Sequence, residues 1–197
     1  MSKGVSIHSL AHILSNNPSF FSSSLENRII PSYNFLRTLL KSDEKVFFSM
    51  KRCPRLMGYN PCDILSPNIN TLLDNGVAKC NIASAICSMP ITFVTSPNKF
   101  KVKVEEAKEM GFDPSKRMFM VALYAMSMIS KPTFKSKVEA FKNFGWTEED
   151  VSGALHRCPK FMLVSEDKSM VMMDFLVNKM GFPSSVIVKR PQVLRGA

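Results

Sequence analysis

The chain has 197 residues, and 45% of them are hydrophobic, which is enough to bury a substantial core. Its 26 Lys and Arg residues outnumber 16 Asp and Glu, and the net charge of +10 favours a polyanionic partner such as nucleic acid or an acidic membrane surface. The longest apolar stretch, residues 118–129, contains Ser127 and is too short to cross a bilayer, so it predicts a buried core helix and not a transmembrane one.

The five cysteines form no C-x-x-C pair and are odd in number, which argues against a disulfide framework. Cys53 and Cys158 each precede a proline, at a position that Met89 occupies before Pro90. Because this position accepts small or soft apolar side chains, we predict that the cysteines are buried free thiols.

Glycine followed by an apolar residue recurs along the chain with spacings of 35, 34 and 36 residues, at Gly76, Gly111, Gly145 and Gly181. Prolines recur about 14 residues after a repeat boundary, at Pro54, Pro90 and Pro159. A period near 35 indicates structural repeats, each of which buries its apolar face only against its neighbours. The predicted repeats are residues 4–38, 39–75, 76–110, 111–144, 145–180 and 181–197, the last of them cut short.

Each repeat is predicted to contain a first helix, a proline turn, a second helix and a closing glycine. The second helices carry apolar residues at steps of three and four, which places them on one buried face. These stripes are Leu65, Ile69 and Leu72, then Phe100, Val104, Ala107 and Met110, then Phe134, Val138, Phe141 and Phe144.

Two repeats have informative first helices. In the fourth repeat Ala125 stands where proline is expected, so its apolar first helix should run straighter and more buried than the others. In the fifth, Thr147 precedes three acidic residues, which predicts a helix that begins with a threonine cap and a first turn suited to the helix dipole.

This pattern of Gly-Phe, short helix, proline with apolar residues and second helix resembles the mitochondrial transcription termination factor (mTERF) family. The segments that carry the resemblance best are 145–181, including RCPKF at 157–161, and 182–187 with Arg190-Pro191. Residues 25–31 are similar to plant members. The resemblance covers nearly the whole chain.

The resemblance implies an all-α fold, an α-solenoid of about five and a half repeats of 34–36 residues in a single domain over residues 1–197. It also implies a monomeric organellar regulator that binds double-stranded DNA or structured RNA, in transcription termination, its regulation or intron processing. We expect no catalytic activity, no cofactor or metal, no membrane association and no small-molecule substrate. Individual base-reading residues vary with the target in this family and cannot be carried over.

Lysines of the second helices are the first candidate contacts to phosphate. Residues 76–145 hold 11 basic and 5 acidic side chains and are the most positive part of the chain. Lys101, Lys103 and Lys108 recur 34 residues later as Lys135, Lys137 and Lys142. Lys101 and Lys108 share one helix face, as do Lys135 and Lys142, and we call these four residues the lysine ladder. Glu105 and Glu139 recur with them at pairing distance, so an ordinary solvated helix face is the alternative and is slightly favoured.

Cations beside the prolines are the second candidate set. These turn cations are Lys51, Arg52, Arg55, Arg157, Lys160, Lys189 and Arg190. A cation at a helix C-terminus interacts favourably with the helix dipole without any ligand, but arginine on a repeated edge is also well placed to bind phosphate. The sequence leaves these two interpretations evenly balanced.

Other chemistry is weakly supported. His8 and His12 are one helical turn apart but lack a third ligand, and His156 stands alone. No phosphate-binding glycine-rich loop and no G-x-S-x-G motif is present. The alternative function is a helical-repeat scaffold that binds a protein partner, although the tetratricopeptide pattern is absent.

Localisation in a mitochondrion or chloroplast is expected from the resemblance alone. The first repeat is predicted to begin at about residue 4, which leaves no visible Arg- and Ser-rich transit peptide. Together with the shortened last repeat, this predicts a truncated or degenerate copy.

Overall fold

The computed structural model describes residues 25–196, and in this range the regular secondary structure is helical, without a strand. The all-helical prediction is thereby confirmed for the described residues. The α-helices are α1 (Ile30–Leu40), α2 (Asp43–Arg52), α3 (Leu65–Asp74), α4 (Lys79–Ser88), α5 (Pro97–Glu109), α6 (Arg117–Met128), α7 (Lys131–Lys142), α8 (Glu148–Arg157), α9 (Glu166–Asp174) and α10 (Ser184–Lys189). Even-numbered helices are the first helices of the repeats, and odd-numbered helices are the second helices.

Short 3-10 helices follow four of the first helices, and we call them the proline turns: Pro54–Met57, Pro90–Val94, Pro159–Leu163 and Pro191–Arg195. The residue before each proline leaves the helical region, as Cys53 does with φ −148° and ψ 84°. The proline ring clashes with helical geometry at the preceding residue, so each first helix ends there. The predicted proline turns are therefore present.

The recurring glycines end second helices in the left-handed conformation, with φ of 80° at Gly76, 84° at Gly111, 80° at Gly145 and 71° at Gly181. After Gly76, the amide of Val77 donates to the carbonyl of Leu72 at 2.9 Å, which closes the helix end. Val77 is buried. A glycine spacing near 35 thus marks a repeated helix stop, and the next residue is buried after Gly76, Gly111 and Gly145 but exposed at Phe182.

Lys41 occupies the same left-handed position one repeat earlier, 35 residues before Gly76, with φ of 53°. Its amide donates to the carbonyl of Arg37 at 2.8 Å, and Lys41 itself is exposed. The repeat boundary expected at residue 39 lies beside this position, which the glycine pattern could not reveal because a lysine fills it.

We expect Lys41→Gly to stabilise the protein by about 0.5–1 kcal/mol. Glycine removes the cost of about 1–2 kcal/mol that an L-residue has in the left-handed conformation, and its larger loss of chain entropy on folding offsets part of that gain. Urea unfolding followed by circular dichroism measures the change. Gly145→Ala is the matched control and should destabilise the protein, because Gly145 has φ of 80°. An added Cβ would meet no atom within 4 Å, so the backbone conformation alone would cause the loss. Equal stability of all three proteins would contradict this explanation.

The repeat that lacks its proline has a long first helix with five buried residues, as its predicted burial requires. Helix α6 continues through Ala125 as an uninterrupted helix of 12 residues, with no proline turn after it, whereas α2, α4 and α8 have 10 each. Phe119 and Leu123 are among its buried residues. Ser130 then accepts a hydrogen bond from the Thr133 amide and begins α7.

The described residues form two compact units, one ending at Glu105 and the other beginning at Glu106. In the first, Leu36, Leu56, Leu65 and Phe93 are fully buried. In the second, Phe141, Trp146 and Phe161 form a buried aromatic cluster, with ring centroids 4.8 Å apart for Phe141–Trp146 and 5.5 Å for Phe141–Phe161. Within residues 25–196, no helix combines the length and hydropathy needed to cross a membrane.

Candidate nucleic-acid interface

Proline turns lie side by side within each compact unit. In the first unit Pro54–Met57 packs against Pro90–Val94, and in the second Pro159–Leu163 packs against Pro191–Arg195. The cations that flank these turns in sequence are therefore carried by neighbouring segments of each unit, and we call the paired turns with their flanking residues the turn edge. In the second unit these cations are Arg157, Lys160, Lys189 and Arg190.

Arg52 is exposed, but its orientation is fixed at two points. Its Nη1 donates to the carbonyl of Ser88 at 3.0 Å, and its guanidinium carbon lies 4.8 Å from the ring centroid of Phe48. Ser88 is the last residue of α4, so Arg52 satisfies a carbonyl that a helix end leaves without a partner. The remaining guanidinium N–H groups are still available for a phosphate.

The other turn cations of the first unit, Arg55 and Lys51, are also exposed. Arg55 donates from Nη2 to the hydroxyl of Tyr59 at 3.1 Å. Lys51 is exposed in the last turn of α2. In the second unit, Lys160 Nζ lies 5.2 Å from the ring centroid of Tyr124, which is a cation–π distance.

The lysine ladder is only partly available. Lys142 forms salt bridges with Glu139 and Glu148, both at 3.0 Å. The hydrogen bonds to Glu148 and then Glu139 raise the pKa of Lys142. Lys101, Lys108 and Lys135 are exposed. At Lys142 the solvated-face interpretation is the better one, because its charge is already neutralised by two carboxylates.

Lys137, which recurs with the ladder lysines in the sequence, points inward and cannot contact a ligand. Its side chain is buried, and Nζ donates to the carbonyls of Met162 and Val164. A signal for this was present in the sequence: position 137 is three residues after Phe134 and four before Phe141, so it lies on the apolar stripe. Asn68 has the same placement between Leu65 and Leu72, and it too is buried.

The histidines predicted as weak metal candidates can be assessed only within the described residues. His8 and His12 lie outside the described residues, and the His156 ring stacks on Phe112 with centroids 4.5 Å apart. Among residues 25–196, no three His, Cys, Asp or Glu side chains are grouped to hold a metal ion.

The five cysteines are free thiols, but the prediction that they are buried is only partly correct. Cys53 is buried, and this burial raises the pKa of its thiol. Cys62 and Cys80 are instead exposed. Their positions, one in the loop before α3 and one in the first turn of α4, were outside the pre-proline pattern on which the prediction rested.

A repeated helix, proline turn, helix and glycine stop is the arrangement that the sequence resemblance implied. The family model for mTERF matches residues 1–196. The chain belongs to the mTERF family. mTERF proteins are nucleic-acid-binding regulators of organellar gene expression, and the family is not known for enzymatic activity. Comparison with curated proteins found no match.

Proposed function

We propose that this mTERF protein binds double-stranded DNA or structured RNA in a mitochondrion or chloroplast, as a monomer, and that the turn cations contact its phosphates. The observation that supports this proposal is the packing of adjacent proline turns, which places the segment that carries Arg157 and Lys160 next to the segment that carries Lys189 and Arg190. Cations along an edge match a phosphate backbone, and anchored arginines lose little side-chain entropy on binding. The net charge of +10 supports the same class of partner.

Phosphate contacts of this kind predict a steep salt dependence. With roughly four contacts, we expect affinity for duplex DNA or for a structured RNA to fall by about a hundredfold between about 50 and 200 mM salt, because each contact releases condensed counterions. Fluorescence anisotropy with a DNA duplex, an RNA hairpin and an unstructured RNA measures this and distinguishes the targets. Absence of binding, or binding that ignores salt, would contradict the proposal.

A second candidate function, a scaffold for a protein partner, is favoured by an apolar surface on the second compact unit. Val171 is 70% exposed and Phe175 is 46% exposed. Both line a cavity of about 620 Å³ together with Phe144, Met170 and Met172. Changing Val171 and Phe175 to serine should leave nucleic-acid affinity unchanged if the turn cations form the interface. A large loss of affinity in that variant would instead place the interface on the apolar surface.

A further inference from the structure

Buried polar side chains on three second helices reach forward to a backbone carbonyl 27 residues later. Each accepting carbonyl lies just after a proline turn. The donors and acceptors are Ser32 Oγ to Tyr59 at 2.7 Å, Asn68 Nδ2 to Thr95 at 2.7 Å, and Lys137 Nζ to Val164. Two of the donors also bind a carbonyl two residues earlier, Asn68 that of Phe93 at 3.0 Å and Lys137 that of Met162.

The shared geometry has a physical cause. A 3-10 turn ends with carbonyls that have no partner within the turn, and burying such a group without a donor costs free energy. Ser32 and Asn68 have no exposed surface and Lys137 has 5%, so each donor lies within the core beside the carbonyls it satisfies. The same position thus connects the second helix of one repeat to the proline turn of the next.

Lys137 holds a proline turn that carries cations, as Ser32 does in the first unit. The turn Pro159–Leu163 contains Lys160. Arg157 lies two residues before the turn, separated from it by Cys158. Burial lowers the pKa of Lys137, and the nearby Glu166 carboxylate opposes that shift. The three N–H groups of the Lys137 ammonium allow it to hold two carbonyls together, as the Asn68 amide does at the turn Pro90–Val94.

We infer that Lys137 is a positioning residue of the nucleic-acid interface: by holding the carbonyls of Met162 and Val164, it fixes the following proline turn and so places Arg157 and Lys160 against phosphate. This inference rests on the proposed function. It assigns the buried lysine a role without any contact to the ligand, in contrast to the exposed lysines of the ladder.

The first experiment compares Lys137→Met with Lys168→Met, which removes the same charge from an exposed position in the same compact unit. Affinity for a DNA duplex is measured over a salt series at a temperature where circular dichroism shows each protein folded. We expect Lys137→Met to reduce the salt slope by about 1.8, the value for two phosphate contacts, and to weaken binding by about tenfold or more. Lys168→Met should change affinity less than about twofold.

A double-variant cycle separates positioning from general structural damage. In a protein that carries Arg157→Gln and Lys160→Gln, adding Lys137→Met should cause no further loss of affinity, because the cations it places are already absent. An additive loss, or wild-type affinity of the single Lys137→Met variant, would overturn the inference. Lys137→Gln keeps two N–H donors, so it should retain most of the affinity that Lys137→Met loses, and an equal loss in the two variants would also overturn the inference.

Hydrogen–deuterium exchange tests the same inference without nucleic acid. The Phe161 and Val164 amides donate within the turn, to Cys158 at 2.9 Å and to Phe161 at 3.3 Å. We expect them to exchange at least about tenfold faster in Lys137→Met, while the Val151 amide of α8 keeps its rate. If the wild type binds no nucleic acid but these amides are released in Lys137→Met, the proposed function is wrong, while the hold of Lys137 on the proline turn is confirmed. Unchanged exchange would reject that role.

Discussion

Replacing Phe141 with alanine is expected to destabilise the second compact unit by about 3–5 kcal/mol, the usual cost of a large cavity in an aromatic core. Phe141 is 1% exposed and lies 4.8 Å from Trp146 and 5.5 Å from Phe161, measured between ring centroids. Its ring joins a second helix to the residue after a recurring glycine and to a proline turn. The substitution therefore weakens the packing between consecutive repeats, which is what holds a repeat protein together.

Urea unfolding followed by tryptophan fluorescence measures this loss where it occurs, since Trp146 is the single tryptophan of the chain and belongs to the cluster. Phe175→Ala is the matched control: Phe175 is 46% exposed, so its removal should cost less than about 1 kcal/mol. A loss below about 1 kcal/mol in Phe141→Ala would mean that the cluster is not the core of this unit.

The fold was predictable where the chain signals its own conformation. Proline restricts the residue before it, and glycine accepts a positive φ, so both signals act within two or three residues. The helix start at Thr147 could be predicted for the same reason, and its capping box with Asp150 is present. The left-handed residue Lys41 was not predicted, because only its distance from Gly76, and not its residue type, marks this position.

The spacing of 36 residues between Gly145 and Gly181 also has a local structural cause. Ser96 to Gly111 and Ser130 to Gly145 are each 15 residues, whereas Ser165 to Gly181 is 16. The extra residue is accommodated by a π-helical turn, Phe175–Lys179, directly after α9. Periodicity reveals the inserted residue, but a loop or a bulge in the helix would have fitted it equally well.

The candidate site was predictable only as a set of cations. Lys135 and Lys137 are two residues apart on α7, yet one is exposed and the other is buried against the carbonyls of the next proline turn. Which lysine faces the core depends on the phase of the helix, and that phase was readable from Phe134 and Phe141. What the lysine binds there depends on a segment 25 residues further along the chain, which local sequence patterns do not describe.

We expect the turn cations to contribute more to nucleic-acid binding than the exposed lysine ladder does. Two variants that each remove four charges make the comparison, so their net charges are equal. The turn variant is Arg52→Gln, Arg55→Gln, Arg157→Gln and Lys160→Gln, and the ladder variant is Lys101→Gln, Lys108→Gln, Lys135→Gln and Lys142→Gln. Because the turn variant can no longer neutralise four phosphates, its salt slope should fall by about 3.6 and its affinity near 100 mM salt should be at least about a hundredfold lower.

The ladder variant should lose less, because Lys142 is already paired with Glu139 and Glu148 and those carboxylates would remain after its removal. Arg52→Lys, which keeps the charge but not the forked guanidinium, distinguishes bidentate phosphate binding from charge alone and should weaken binding by about tenfold or less. Circular dichroism at each salt concentration shows whether the variants remain folded, since Arg52 also satisfies the Ser88 carbonyl. An equal or greater loss in the ladder variant would place the phosphate contacts on the second helices and reject the turn edge as the interface.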